Sequence, residues 1–116
     1  LALPGGDRVV AIITHESTAE LGLAVGSDAV AMVKASWVLL GAGDSAQKLS
    51  ARNQLRGMVQ KIITGAVNAE VAIELSGGTI VTAIVTNGSV DSLELAVGKP
   101  AVVLFKSSSV IIGVAA

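Results

Sequence analysis

Apolar side chains occupy every second position from 67 to 75, a period of two that predicts a strand with one solvent-facing side. Glycine-containing turns flank this segment, because glycine accepts a positive φ without steric cost. Four further segments predict strands in the same part of the chain: 53–63, 79–86, 100–106 and 108–114. Five short strands predict an all-β fold, specifically a compact Greek-key barrel of the OB type.

One short helical turn interrupts the strand pattern. The segment 89–95 predicts this turn, with Ser89 as its N-cap. The sequence STAE at 17–20 predicts an equivalent turn that begins with a capping box.

The chain contains an internal repeat. Shifted by 72 positions, residues 3–43 align with residues 75–115 without a gap, and 19 of the 41 aligned positions are identical. The repeat predicts two barrels in tandem. Their boundaries are a first unit over 1–43, a linker over 44–49 and a second unit over 50–116.

The second unit contains a segment, 50–74, that has no counterpart in the first. The first unit therefore holds three of the five predicted strands, too few to close a barrel, and its open edges require a partner chain or a further segment. We expect the intact protein to carry about 25 more residues before Leu1, matching those of 50–74. A circular permutation is the alternative.

Composition narrows the classes of function. The chain has 116 residues, no Cys and a net charge of -1. The absence of Cys excludes thiolate metal sites and cysteine nucleophiles, and it is compatible with a reducing compartment. No apolar run approaches the roughly 20 residues of a membrane helix. The apolar fraction of 52% therefore predicts a sheet core together with a subunit interface.

Positive charge is concentrated in one segment. No acidic residue occurs between Asp44 and Glu70, whereas four of the eight basic residues lie within 48–61. Such a field suits an anion, although a solvated strand face has the same composition. The four basic residues are Lys48, Arg52, Arg56 and Lys61.

A lysine ends a predicted strand in both units. Lys106 is followed by Ser107 in the sequence KSSS, and Lys34 is followed by Ala35 in the sequence KAS. A compact oxyanion needs this combination of a point charge, hydroxyl donors and nearby backbone N–H groups. A polar turn at the strand end is the alternative interpretation.

A threonine and a serine recur beside the helical turn of each unit. They are Thr14 and Ser17 in the first unit, and Thr86 and Ser89 in the second. Capping explains Ser89 without any ligand, so these hydroxyls alone do not indicate a site.

Two further polar residues have ordinary structural explanations. Asn68 follows a glycine turn, where its amide either shapes the turn or donates to a ligand. His15 aligns with Asn87 and is predicted to be an exposed loop residue rather than a ligand. The carboxylates show no clustering of the kind that binds a metal, and no Ser/His/Asp triad can be assembled.

Four motifs taken together resemble the molbindin, or Mop, family of molybdate- and tungstate-binding proteins. They are SARNQLRG, GAVNAEV, VTAIVTNGSV and KSSSVIIGV, and they span 50–114; residues 3–41 resemble a second copy without the opening motif. The resemblance implies OB-like barrels in a ring of six copies, which is three chains of two copies each. It also implies oxyanion sites between protomers and near the threefold axis.

The resemblance implies two sets of site residues. Within the first set, Arg52 and Lys106 would face one oxyanion, and a neighbouring chain would supply the threonine and serine hydroxyls. Ala35 stands where the second unit has Ser107, so only its backbone N–H would serve. The first set is Ser50, Arg52, Asn53, Lys106, Ser107, Thr86, Ser89, Lys34, Ala35, Thr14 and Ser17; the threefold-axis set is Ala66, Val67 and Asn68.

These features favour a non-catalytic, cytoplasmic homotrimer that binds molybdate or tungstate for molybdenum storage or homeostasis. It would need no cofactor and contact neither membrane nor nucleic acid. One alternative is the sensing region of a molybdate-responsive transcriptional regulator. A less favoured alternative is an OB-type nucleic-acid module, which stacks bases on aromatic side chains. The chain offers only Trp37 and Phe105 for that purpose.

Overall fold

The computed structural model of the protein describes residues 1–43 and 48–115, and it confirms the all-β class. The strands are β1 (Val30–Met32), β2 (Leu39–Ala42), β3 (Asn53–Thr64), β4 (Asn68–Leu75), β5 (Ile80–Thr86), β6 (Pro100–Phe105) and β7 (Ile111–Gly113). The helices are α1 (His15–Glu20) and α2 (Asn87–Ser92), and two 3-10 turns occupy Ala35–Trp37 and Ser107–Ser109. Among the described residues, neither helix is long enough to cross a membrane.

Five strands form one antiparallel sheet in the order β2-β6-β3-β4-β5. β3 is long because it pairs with β6 over residues 53–58 and with β4 over residues 57–64. The register of the β3–β4 pair shifts between Val59 and Lys61, a bulge that increases the local bend and twist of a strand. β3 is thus the central strand that joins the two halves of the sheet.

Four predicted strands agree with the structure to within two residues: those over 53–63, 67–75, 79–86 and 100–106. The strand predicted over 108–114 is shorter, because a 3-10 turn precedes it and β7 begins only at Ile111. The Ser109 N–H donates to the Lys106 carbonyl at 2.9 Å, a local bond that closes this turn. The predicted linker falls largely on residues 44–47, which lie outside the described residues.

The two repeats exchange their final strands. β2 of the first repeat pairs with β6 of the second, and β7 of the second pairs with β1 of the first. Met32 lies opposite Ile111, and Leu39 lies opposite Leu104. Leu39 and Leu104 are the repeat equivalents of Ile111 and Met32, so the two pairings have the same register. A pseudo-twofold symmetry therefore relates the repeats.

The first repeat holds two described strands, not the three predicted. Residues 8–14 align with β5 but form no strand, apart from an isolated bridge between Ala2 and Arg8. β5 has β4 as a continuous ladder partner. Residues 8–14 instead make scattered contacts: Val9 with Leu1, Val10 with the Asn53 side chain and Ile12 with the Ser107 carbonyl. A strand needs a ladder, and these contacts do not form one.

Both repeats contribute to one hydrophobic core. Val9 and Val38 of the first repeat lie in the same cluster of buried side chains as Val71, Ile73 and Phe105 of the second. Burial of apolar area is the main favourable term in folding. The shared core therefore stabilises the strand exchange, because separating the repeats would expose these side chains.

Two glycine hairpins pack against each other between the repeats. Gly5 and Gly77 are repeat equivalents, and a Cβ on Gly5 would collide with the backbone nitrogen of Gly77. A Cβ on Gly77 would in turn collide with the carbonyl oxygen of Pro4. The Ser76 hydroxyl lies 3.3 Å from both the Gly5 carbonyl oxygen and the Asp7 carboxylate. Only glycine permits this backbone-to-backbone approach.

Candidate functional site

The start of β3 and the end of β6 lie side by side. Asn53 pairs with Phe105 as the outermost rung of this antiparallel ladder. Arg52 and Lys106 are the next residues beyond that rung, where opposite residues project to the same face. Both side chains are exposed, and neither has an ion pair or hydrogen bond within the described part of the chain. Ser50 is exposed two residues before Arg52.

Ser107 follows Lys106 and begins a 3-10 turn in which it is 5% exposed. Its carbonyl accepts a hydrogen bond of 3.1 Å from the Ile12 N–H of the first repeat. The first N–H groups of a 3-10 turn have no partner within the turn. The Ser107 and Ser108 N–H groups thus adjoin the two cations. We call Ser50, Arg52, Lys106 and Ser107 the strand-end cluster.

Asn53, an expected oxyanion ligand, directs its side chain at the first repeat and is 1% exposed. Its Oδ1 accepts from the Val10 N–H at 2.8 Å, and its Nδ2 donates to the Val10 carbonyl at 2.8 Å. The side-chain amide thus imitates the backbone of a neighbouring strand. One Nδ2 hydrogen remains for any other acceptor. In this structure Asn53 anchors the SARN segment to the first repeat.

Threonines cap both helices, so the predicted N-cap at Ser89 and capping box at Ser17 are wrong. Thr14 Oγ1 accepts from the Ser17 N–H at 3.1 Å, and Thr86 Oγ1 accepts from the Ser89 N–H at 3.0 Å. Each threonine is extended, and its hydroxyl reaches the third helical residue. The two hydroxyls of each pair lie 2.9 and 2.8 Å apart. Each pair retains one O–H that can donate elsewhere.

The first repeat has a related strand end with different chemistry. Lys34 precedes the 3-10 turn Ala35–Trp37, and this turn packs against β5 of the second repeat. The Lys34 Nζ lies 5.3 Å from the centroid of the Trp37 ring. The residue equivalent to Trp37 is Ser109, which has no ring. Each strand end therefore faces the other repeat, but only the first has an aromatic side chain in its 3-10 turn.

The predicted threefold-axis residues form the exposed turn between β3 and β4. The Gly65 N–H donates to the Asn68 carbonyl at 2.8 Å and closes the turn. The Ala66 and Val67 N–H groups have no backbone acceptor within the described residues. They are two adjacent donors of the kind that binds an anion.

Asn87 supports this turn, a structural role that sequence reasoning missed. Its Nδ2 donates to the Gly65 carbonyl and its backbone N–H donates to the Val67 carbonyl, each at 2.9 Å. Its Oδ1 is buried without a hydrogen-bond partner among the described residues. No spacing in the sequence indicates this role, because the β4–β5 pairing brings Asn87 to a turn 22 residues away.

Of the four basic residues in the segment 48–61, only Arg52 belongs to the strand-end cluster. A strand rises about 3.3 Å per residue, which places Arg56 roughly 13 Å and Lys61 roughly 30 Å along β3. Both are exposed. The sequence left two interpretations of this segment open, an anion-binding site and a solvated strand face. The first applies to Arg52, and the second applies to Arg56 and Lys61.

His15 lies exposed in the first turn of α1. Across residues 1–43 and 48–115, no group of three or more His, Asp or Glu side chains is arranged to hold a metal ion. The site consists of cations, hydroxyls and N–H groups, which are donors that bind anions.

The chain is similar to known proteins over nearly its whole length. The TOBE domain model matches residues 1–40 and 49–112. The chain is 44% identical over 112 residues to the molybdenum-pterin-binding protein MopA of Rhodobacter capsulatus, covering 97% of this chain and 42% of that protein. It is 46% identical over 67 residues to a probable molybdenum-pterin-binding protein of Haemophilus influenzae, covering 58% of this chain and 97% of the relative.

A solved structure has the same fold. The cytoplasmic molybdate-binding protein ModG, in a crystal form with molybdate bound, superposes with a TM-score of 0.90 at 50% identity. The match covers 96% of this chain and 79% of ModG. The chain thus spans most of ModG but less than half the length of MopA.

Proposed function

The chain belongs to the TOBE domain family as a molbindin, and on that premise we propose that it binds molybdate or tungstate without catalysing a reaction. The observation that carries the proposal is the Asn53–Phe105 rung, which ends the β3–β6 ladder next to the unpaired cations Arg52 and Lys106. A tetrahedral dianion accepts hydrogen bonds on four oxygens, so it needs donors that converge from several directions.

The available donors suffice for tight binding. Each hydrogen bond to a charged group contributes about 1.5–3 kcal/mol net. Micromolar affinity corresponds to about 8 kcal/mol. The six donors are the two cations, the Ser50 and Ser107 hydroxyls and two N–H groups of the 3-10 turn. Together they contribute about 9–18 kcal/mol, which corresponds to micromolar binding when association costs about 4 kcal/mol, the low end of its range.

We further propose that neighbouring protomers complete each site. In this proposal the second repeat, 50–116, forms an OB-like barrel, the first repeat, 1–43, contributes to a second one, the two exchange their last strands, and three chains assemble into a ring. Exposed apolar side chains support a subunit interface, since soluble monomers rarely expose many of them together. Thr86 and Ser89, or Thr14 and Ser17, then donate across that interface. The exposed large apolar residues on or beside the exchanged strands are Val30, Met32, Trp37, Leu39 and Ile111.

The threefold-axis site fits the turn between β3 and β4. In a trimer, three copies of this turn bring together the N–H groups of Ala66 and Val67 with the Asn68 amide. Three sets of donors around one axis form a cage for a second oxyanion. The Asn87 bonds hold the turn in the required shape.

The proposed role is storage or buffering of the oxyanion in the cytoplasm. It is supported by the ModG likeness and requires no cofactor. Nucleic-acid binding is less favoured, because Phe105 is 4% exposed and Trp37 is the only other aromatic residue. Stacking platforms use several exposed aromatic side chains.

Calorimetric titration with molybdate tests the proposal. Replacing Arg52 or Lys106 by Ala removes one charged partner from the cluster, which typically costs about 2–5 kcal/mol, or roughly 30-fold or more in affinity. The matched control is Lys99→Ala, because Lys99 is an exposed cation in a turn outside the site. Equal small losses in all three variants would indicate a diffuse basic surface and refute the proposal. Parallel titrations with tungstate, sulfate and phosphate define selectivity.

A further inference from the structure

Trp37 lies outside the hydrophobic core of the chain. It is the only Trp of the chain, and its side chain is 47% exposed. Its neighbour Val38 is 2% exposed and belongs to the core cluster, whereas Trp37 does not. The contact that the structure records for the ring is with the Lys34 ammonium, at 5.3 Å from the centroid.

The two repeats differ in the residues that follow the strand-end lysine. The strand-end lysine is present in both, as Lys34 and Lys106. The residue after it is Ala35 in the first repeat and Ser107 in the second. Trp37 likewise stands where the second repeat has Ser109. The first strand end thus lacks the hydroxyls of Ser107 and Ser109 and has one aromatic ring instead. Residues 1–43 also contain no counterpart of Ser50 and Arg52.

We infer that Trp37 is a positioning residue for Lys34, holding its ammonium ready for an oxyanion and offsetting the hydroxyls absent from the first repeat. The inference rests on the proposed function. An ammonium within about 6 Å of a Trp ring face is attracted by the ring quadrupole. It has three N–H donors, so contact with the ring leaves others free for an anion.

Ordering of the Lys34 side chain before the oxyanion binds increases the affinity for that anion. A free lysine side chain loses rotamer freedom when it binds a ligand, and ordering it beforehand removes part of that loss. The two strand ends of one chain therefore bind oxyanion by different means. Two cations and their neighbouring hydroxyls serve the second, and a pre-positioned ammonium serves the first. Removing the ring should weaken the first site about two- to fivefold.

The test uses Lys106→Ala as the background, which weakens the second strand end and leaves the Lys34 strand end and the turn between β3 and β4 unaltered. Molybdate calorimetry then compares Trp37, Trp37→Phe and Trp37→Leu. We expect Trp37→Leu to bind two- to fivefold more weakly and Trp37→Phe to retain most of the affinity, because phenyl keeps a π-face. Val25→Ala in the same background is the control, since Val25 is a fully exposed apolar residue away from both strand ends.

Trp37 emission supplies a readout that a purely structural role would not change. Molybdate should alter this emission in the Lys106→Ala background, because the anion changes the field of the ammonium over the ring. Lys34→Ala should abolish the change. Failure of the unaltered protein to bind molybdate would overturn the proposed function, and this inference with it.

Two outcomes would overturn the inference alone. One is unchanged affinity of Trp37→Leu in the Lys106→Ala background. The other is complete loss of binding by Lys106→Ala itself, which would mean that the Lys34 strand end is not a site while the strand-end cluster of the second repeat is one.

Discussion

Replacing Gly77 by Ala tests the contact between the two hairpins that join the repeats. The new Cβ would collide with the Pro4 carbonyl oxygen and would stand 2.7 Å from the Gly5 nitrogen. Favourable contacts of carbon begin near 3.5 Å. Both neighbours are backbone atoms, so no change of rotamer relieves the overlap. The hairpin at 4–6 must move away, and the Ser76 hydroxyl then loses its two acceptors.

The expected decrease in the free energy of unfolding has two parts, the backbone shift and the lost Ser76 hydrogen bonds. Overpacking that forces a backbone shift costs about 1–3 kcal/mol. The hydrogen bonds of Ser76 are exposed, so their loss adds at most about 1 kcal/mol. We expect the free energy of unfolding to fall by about 2–3 kcal/mol. In a chain of this size, that lowers the melting temperature by roughly 10 °C.

Thermal unfolding followed by circular dichroism measures the effect against two controls. Gly41→Ala introduces only ordinary contacts, the nearest at 3.6 Å from Leu104. Gly78→Ala meets nothing within 4 Å but has a φ of +87°, so it reports backbone strain alone, about 1 kcal/mol. The order of destabilisation should be Gly77→Ala, then Gly78→Ala, then Gly41→Ala. If Gly77→Ala melts together with Gly41→Ala, the hairpins do not meet.

Three further predictions concern single residues. Glu94→Gly should stabilise the protein by about 0.5–1 kcal/mol, because Glu94 has a φ of 53° that glycine adopts without strain; an unchanged melting temperature would contradict this. Asn53→Ala should cost about 2–3 kcal/mol by leaving both Val10 backbone groups unpaired, and an unaltered urea midpoint would show that water replaces the amide. Thr86→Val should lower the free energy of unfolding by about 1 kcal/mol, because the helix loses its cap. The control Thr82→Val, an exposed substitution in β5, should leave the melting temperature measured by circular dichroism nearly unchanged.

The exchange of final strands bears directly on the candidate site. The turn after Lys106 meets Ile12 of the first repeat, and the turn after Lys34 meets β5 of the second. Each strand end is therefore shaped by the other repeat. A substitution that loosens the contact between repeats, such as Gly77→Ala, should weaken oxyanion binding as well as stability.

The sequence alone determined the strands of the second repeat, because their signals are local. The alternation over 67–75 and the glycine turns reflect side-chain period and backbone freedom, which depend on neighbouring residues only. The motif resemblance also indicated that Arg52 and Lys106 act together, and the β3–β6 ladder ends at Asn53 and Phe105, the residues next to them. The helix caps were misplaced by up to three residues, because both threonine and serine can cap and only backbone geometry distinguishes them.

The tertiary structure alone decided how the repeats combine. β2 and β7 have similar apolar sequences, LLG at 39–41 and IIG at 111–113, so either could pair with the strand of its own repeat or of the other through the same backbone hydrogen bonds. Burial in a shared core selects the exchanged arrangement, and no local pattern records it. The role of Asn53 was likewise inaccessible, since an amide that binds a ligand and one that binds a backbone 43 residues away look identical in a sequence.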